Sequence, residues 1–246
     1  MKRWFLLLIL LQLFSLWGCG IEQSPATMSG VQEMPAAMEV QTEQVLPAGY
    51  VALTFDDGPT PAHTARLLDG LKERNVHATF FLAGYRLEGN EELVRRIKAE
   101  GHQIGNHSYA HVQLTTLTPA QALEDLTRCD LALCTLLGEG DYWVRPPYGS
   151  IDQQTLEGLD VPVICWSVDP LDWCDKDAQK VAHHIAQNAK DGDIILLHDC
   201  YASTVDGVLL AIDALLAKGL QPVTVQQLLT LNGLDAESGR IYYRKN

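Results

Sequence analysis

Short apolar runs alternate with amphipathic segments from Tyr50 to Leu231, and that alternation restricts the chain to parallel strands joined by right-handed helical crossovers. Strand character falls on Tyr50 to Phe55, His77 to Leu82, His102 to Asn106, Tyr142 to Arg145, Val163 to Val168, Asp193 to His198 and, more weakly, Gln221 to Val223. Helical periodicity fills the gaps over Pro61 to Arg74, Glu91 to Glu100, Pro119 to Leu137, Asp152 to Leu159, Ala178 to Ala189, Val205 to Ala217 and Val225 to Leu231. Thr60-Pro61 and Thr118-Pro119 read as N-caps with proline at the first helical position, and Gly101, Gly138 and Gly219 as stops. A closed barrel and an open doubly wound sheet both satisfy this order. Polar residues collect at the C-terminal ends of at least five strands, which favours a distorted (β/α)7-type barrel in a single domain. A barrel gathers its chemistry on that face, whereas an open sheet gathers it at one switch point.

The domain expected over 49–246 is preceded by segments of different character. Lys2 and Arg3, the apolar run Trp4 to Trp17 and then Gly18-Cys19-Gly20 have the order of an export signal, with an apolar core too short for a comfortable membrane span. Leu16-Trp17-Gly18-Cys19 resembles the bacterial lipobox, which implies a signal peptide over 1–19, a lipid on Cys19 and a domain anchored outside a bacterial membrane. Residues 20–48, rich in Gln, Glu, Ser, Pro, Ala and Met, read as a flexible tether. A formal net charge of −13 repels phosphate backbones and argues against nucleic acid as a partner. Five cysteines follow Cys19, an odd number that forbids complete internal pairing. Cys129 and Cys134 read as small buried hydrophobes. Cys174 and Cys200 each follow a polar cluster, and an oxidising compartment would permit a disulfide between them.

Five clusters carry residues able to do chemistry. In Thr54-Phe55-Asp56-Asp57-Gly58-Pro59 an apolar strand ends in two adjacent carboxylates, costly unless a cation or a shared proton relieves them, although Asp-Asp-Gly-Pro is also good turn chemistry. In His107-Ser108-Tyr109-Ala110-His111 two imidazoles four apart can face one point from a helical turn, and a third ligand from Asp57 would leave coordination positions open. Arg145-Pro146-Pro147-Tyr148-Gly149 is a stiff turn holding an arginine and a backbone amide. Asp169-Pro170-Leu171-Asp172-Trp173 and Leu196-Leu197-His198-Asp199 complete the set, each also open to an ordinary structural explanation. The other histidines, His63, His77, His102, His183 and His184, read as surface or turn residues.

In this order, each at a strand end, the clusters resemble the five motifs of the polysaccharide deacetylase family, carbohydrate esterase family four, also called the NodB-homology domain. The resemblance runs from about Tyr50 to Leu231. It implies metal ligation by Asp57, His107 and His111, with zinc as the metal and cobalt, nickel or manganese as alternatives. It also implies Asp56 as general base with Arg145 against it, and His198 as general acid with Asp169 against it. Tyr148 would offer its backbone N–H to the developing oxyanion, while Trp173 and Leu196 would line the acetyl pocket. The implied activity is metal-dependent hydrolysis of N-acetyl groups from an aminosugar polymer such as peptidoglycan or chitin, or of O-acetyl groups from xylan. Two readings compete. Two His and one Asp also form the facial triad of non-haem iron oxygenases. A carbohydrate-binding barrel that had lost its chemistry should lack one of Asp56, Asp57, His107, His111 or His198, and all are present.

Overall fold

The structure is a computed structural model and describes residues 46–245. The expected signal peptide, Cys19 and nearly all of the tether lie outside the described residues.

The strands are β1 (Gly49–Asp56), β2 (Thr79–Leu82), β3 (Gln103–Asn106), β4 (Val163–Ile164), β5 (Ile194–His198), β6 (Leu220–Val223) and β7 (Ile241–Tyr242). Between them run α1 (Pro61–Glu73), α2 (Glu91–Ala99), α3 (Pro119–Leu137), α4 (Gln153–Glu157), α5 (Asp172–Asp175), α6 (Ala178–Asn188), α7 (Ala202–Ala217) and α8 (Val225–Leu231). All strand ladders are parallel, as the helical crossovers require.

Regular pairing gives the order β3-β2-β1-β5, with β6 on the first half of β1 and β4 paired apart with β7. The barrel is therefore distorted and its ladders do not close. Single-residue bridges carry the circuit onward, from Asn106 to Val144, from Val144 to Val163 and from Val168 to Ile195. Two expected strands shrink for this reason: Tyr142 to Arg145 is reduced to a bridge at Val144, and Val163 to Val168 to two paired residues and a bridge. Pro146, Pro147 and Pro170 follow these segments and supply no N–H to extend a ladder.

Alternation along β1 sorts its side chains. Val51, Leu53 and Phe55 join Phe80, Leu82, Ile195 and Leu197 in the core that also takes in Leu67, Leu68 and Leu71 of α1 and Val208 and Ile212 of α7. Ala52 turns the other way, into a cluster with Phe81, Ile164 and Ile194. Thr54 and Asp56 share the face of Ala52, so the strand's polar residues point inward with it. β1 and β5 pair with Asp56 opposite His198 and Thr54 opposite Leu196, which sets the two strands' polar ends side by side.

Helix starts follow the expected chemistry at α3, where Thr118 and Gln121 form a capping box. At α1 they do not. The Thr60 side chain makes no cap bond, and instead the Thr60 N–H donates to Thr64 Oγ1 at 2.7 Å. His102, expected at the surface, is buried, with Nδ1 accepting from Ala78 N at 3.2 Å. Burial, and then the neighbouring His77, push it down to about 4. Cys129 is buried as expected, Cys134 half-buried, and Cys174 and Cys200 are free thiols instead of a disulfide.

Candidate active site and metal-ligand set

Asp57 follows the last residue of β1 with a left-handed backbone, φ 69°, a conformation unusual for a non-glycine residue. Its side chain meets two imidazoles supplied by the segment after β3. His111 Nε2 lies 2.9 Å and His107 Nε2 3.4 Å from Asp57 Oδ1. The two histidines do not sit on a helical turn as expected: residues 107–113 form an irregular loop, with Ser108 at φ 63° and His111 at φ 54°. Ser108 N donates to Asn106 Oδ1 at 2.9 Å, and Ser108 Oγ accepts from His111 N at 3.0 Å, so short side chains shape the turn locally. Asp125 of α3 clamps it from outside, accepting from Tyr109 N at 2.9 Å and Ala110 N at 3.2 Å.

His107 Nδ1 lies 2.7 Å from the carbonyl oxygen of Arg145. A carbonyl can only accept, so Nδ1 carries the hydrogen, and Nε2 is the ring nitrogen that faces Asp57. Asp57 Oδ1 is buried and faces both imidazole nitrogens. One carboxylate oxygen and two imidazole nitrogens within 4.8 Å of one another are thus donors turned inward on a common point. That set fits a divalent transition metal, with coordination positions left for other ligands. Burial alone would raise the Asp57 carboxyl, but the His107 and His111 imidazoles outweigh it and hold the group well below the usual carboxylate range. The same pairing with Asp57 raises His111 against the opposing effect of its burial.

Asp56, buried beside this set, has one oxygen on each side of its task. Oδ1 accepts from Arg145 Nη1 at 2.8 Å, and Oδ2 lies 3.7 Å from His107 Nε2. Arg145 is fully buried and spends its other donors on Thr54 Oγ1 (2.6 Å) and on the carbonyls of Ile164 (3.0 Å) and Cys165 (2.9 Å). Its guanidinium also lies 4.2 Å from the centre of the Phe81 ring. A buried charge so completely satisfied is a fixed part of the frame.

The partner of His198 is not Asp169. Asp172 Oδ1 lies 2.9 Å from His198 Nδ1, while Asp172 Oδ2 accepts from His198 N (2.8 Å) and Thr204 Oγ1 (2.7 Å). Asp169 lines the cleft, and its Oδ1 accepts from Leu171 N at 2.9 Å. The left-handed backbone of Leu171, φ 55°, starts α5 and drives Asp172, three residues beyond the expected one, beneath His198. Burial would depress His198, but the hydrogen bond and charge of Asp172, with Asp56 and Asp57 farther off, push it up to about 9.

Asp56, Asp57, His107, His111 and His198 line a cleft of about 430 Å³, together with Tyr148, Trp166, Asp169, Trp173, Leu196 and Tyr201. Apart from Arg145, every expected site residue among the described residues reaches it. Tyr148 has a left-handed backbone, φ 59°, and its exposed ring stands 5.3 Å from that of His111. A hollow of about 670 Å³ elsewhere on the surface is larger but holds no such convergence of acid, base and ligand groups, so size does not select the site. Asp172, Thr204, Trp166 and Tyr201 were missed. Asp172 stood in the quoted fourth cluster, and Tyr201 lies three residues beyond His198, but neither position carries a local signal of its role.

A parallel α/β ring with an open three-ligand metal set, flanked by an Arg-paired carboxylate and an Asp-paired imidazole, defines a hydrolase type of site. The chain belongs to the polysaccharide deacetylase family: the family model of that description matches residues 43–160. The peptidoglycan-N-acetylmuramic acid deacetylase PdaC of Bacillus subtilis is 39% identical over 178 residues, 72% of this chain and 38% of that protein. Its solved structure superposes with a TM-score of 0.73 at 38% identity, covering 75% of this chain and 92% of the solved one. A chitin deacetylase of Pestalotiopsis sp is 42% identical over 214 residues, 81% of this chain and 71% of that protein. A family 4 acetyl xylan esterase from Clostridium thermocellum, solved with a cobalt ion, superposes with a TM-score of 0.75 at 31% identity over 79% of this chain and 98% of that one. The chain spans about two fifths of the length of the first curated relatives that it matches.

Proposed function

We propose that this chain hydrolyses N-acetyl groups from an aminosugar polymer, with peptidoglycan N-acetylglucosamine or a chitin-type oligomer as substrate and zinc as its metal. The observation that carries this reading is one cleft holding Asp57, His107 and His111 beside two oppositely arranged proton-transfer groups, Asp56 on Arg145 and His198 on Asp172. Asp57, His107 and His111 would hold a divalent cation, which would supply a Lewis acid and activate water near neutral pH. Asp56, held at Oδ1 by Arg145, takes the proton of the attacking water at Oδ2. His198, anchored through Nδ1 to Asp172, gives the proton on Nε2 to the leaving amine. That step matters for an amide, because an amine leaves only when protonated. The backbone N–H of Tyr148 meets the charge that develops on the acetyl oxygen, and Trp173 and Leu196 bound the acetyl group.

Relatives named for N-deacetylation of peptidoglycan and chitin support the substrate class. Likeness to the acetyl xylan esterase favours a second reading, O-acetyl ester hydrolysis. A His198 held protonated to about 9 weighs toward the amide, since a sugar alcohol leaves an ester with less help. Acetate release from peptidoglycan, chitin oligomers and acetylated xylan, with product masses, tests the two. N-acetyl polymers should release acetate, chelator should abolish it and zinc restore it. Full turnover in metal-stripped protein, or release from xylan alone, would refute the reading. The first 20 residues support an extracytoplasmic, lipid-anchored location through Cys19. Cys19→Ala should then move the protein from the membrane to the soluble fraction, and an unmodified Cys19 in intact mass spectra would count against it.

A further inference from the structure

The residue after the general acid is a buried carboxylate that none of these roles uses. Asp199 is fully buried, and Thr64 Oγ1 donates to its Oδ2, while its Oδ1 finds no donor. Because Asp56 and His198 are opposite each other in the β1–β5 ladder, the residues that follow them leave the two strands side by side. Gly58 lies flat against the Asp199 carboxyl: a Cβ there would come within 2.6 Å of both of its oxygens. From Asp199 the contacts run into α1. Thr64 Oγ1, which donates to Asp199, accepts from Thr60 N at 2.7 Å, and Thr60 O accepts from Thr64 N at 2.8 Å. On the opposite side Gly58 O accepts from Ala83 N, just beyond β2, at 3.0 Å.

Asp57 therefore hangs between two fixed neighbours, Asp56 tied to Arg145 and Gly58 wedged between Asp199 and Ala83. Its own backbone is left-handed, a conformation that costs a non-glycine residue about 1 kcal/mol or more and persists where the surroundings over-determine it. We propose that Asp199 is a positioning residue for the metal centre: its carboxyl, packed on Gly58 and tied through Thr64 to the start of α1, holds the Asp57 backbone so that Oδ1 faces His107 and His111. The inference rests on the metal reading of that triad.

The test is zinc affinity, measured on the purified chain by competition with a chromophoric chelator, alongside urea unfolding of the metal-free protein. Asp199→Ala, which removes both wedge and acceptor, should raise the zinc Kd roughly 10- to 100-fold, the range for partners that orient metal ligands. Asp199→Asn, which keeps the shape and an acceptor for Thr64, should stay within about threefold of the wild type. Gly58→Ala should weaken zinc as well. Combined with Asp199→Ala it should cost less than the two losses multiplied, because the colliding carboxyl is gone. Should Asp199→Ala fail to fold, Thr64→Val carries the test with an expected loss of about threefold to tenfold. Wild-type zinc affinity in Asp199→Ala or in Thr64→Val, or an Asn variant as weak as the Ala variant, would overturn the proposal. If the wild-type chain itself takes up no zinc, the metal reading fails and this inference with it. If the wild type binds and Asp199→Ala binds equally well, this inference alone fails.

Discussion

Two imidazoles in the cleft are oriented in the same way and end with opposite chemistry. His107 and His198 each commit Nδ1 to an oxygen, a carbonyl in one case and a carboxylate in the other. The neutral carbonyl fixes a tautomer whose Nε2 can ligate, whereas the Asp172 carboxylate favours the doubly protonated ring and keeps a proton on Nε2 to give away. With His198 as the proposed general acid, activity should fall as pH rises through its value of about 9, because the imidazolium is lost there. Asp172→Asn removes the charge that raises it, so the alkaline limb should move to lower pH by about one unit or more. Asp169→Asn should leave that limb in place. The pH profile of kcat for the two variants checks this, and an Asp169 variant that moved the limb would return the role to Asp169. His198→Ala should lower turnover on an N-acetyl substrate by roughly 10²- to 10⁴-fold.

At the scale of elements, the metal-ligand loop is shaped by a helix that contributes no ligand. α3 presents Asp125 to the N–H groups of Tyr109 and Ala110 and offers the carbonyl of Leu126 to Asn106 Nδ2 at 2.9 Å. Loop 107–111 contains two left-handed non-glycine residues and has no ladder of its own, so these contacts decide where its imidazoles point. Asp125→Ala should therefore weaken zinc binding by roughly tenfold or more while helix content, read by circular dichroism, stays unchanged. Thr118→Ala should do the reverse. It removes one half of the α3 capping box at a cost of about 1 kcal/mol in unfolding free energy, with zinc affinity held within about threefold because the cap stands a full turn or more from Asp125.

The whole ring depends on the chain's last strand. Among the described residues β7 is the only ladder partner of β4, pairing Val163 with Ile241 and Ile164 with Tyr242, and Arg240 O accepts from Val163 N at 2.9 Å. The tail then crosses to β5, where Arg244 Nη2 pairs with Asp193 Oδ1 at 2.7 Å and Lys245 with Asp191. Tyr242 is buried among Ile164, Ile194 and Phe81, and its hydroxyl accepts from Glu237 N at 3.0 Å. Ile164 and Cys165 give the carbonyls that hold Arg145, so the tail supports the base's partner from across the ring. Tyr242→Ala should cost about 3 kcal/mol or more in unfolding free energy, measured by urea titration. An unchanged midpoint would show that β4 holds without its partner.

Periodicity and end signals in the sequence were enough for seven helices, the parallel sheet and the strand-end location of the chemistry, because those depend on residues within a few positions of each other. The cluster at the heart of the cleft was legible for the same reason: Asp56 and Asp57 end one apolar run, and His107 and His111 follow another. What lay beyond the sequence was set by contacts distant along the chain. The choice of Asp172 over Asp169 turns on one left-handed residue at Leu171 and on the approach of β5. β7 carries no recognisable strand pattern in two paired residues, and becomes a strand only because β4 has an open edge beside it. Thr64 answers to Asp199, 135 residues away, and the barrel stays unclosed because its prolines fall where the ladders would have met. Local pattern determined which residues are chemically able; tertiary packing decided which nitrogen and which carboxylate each one faces, since hydrogen-bond partners are fixed by distance in space and not along the chain.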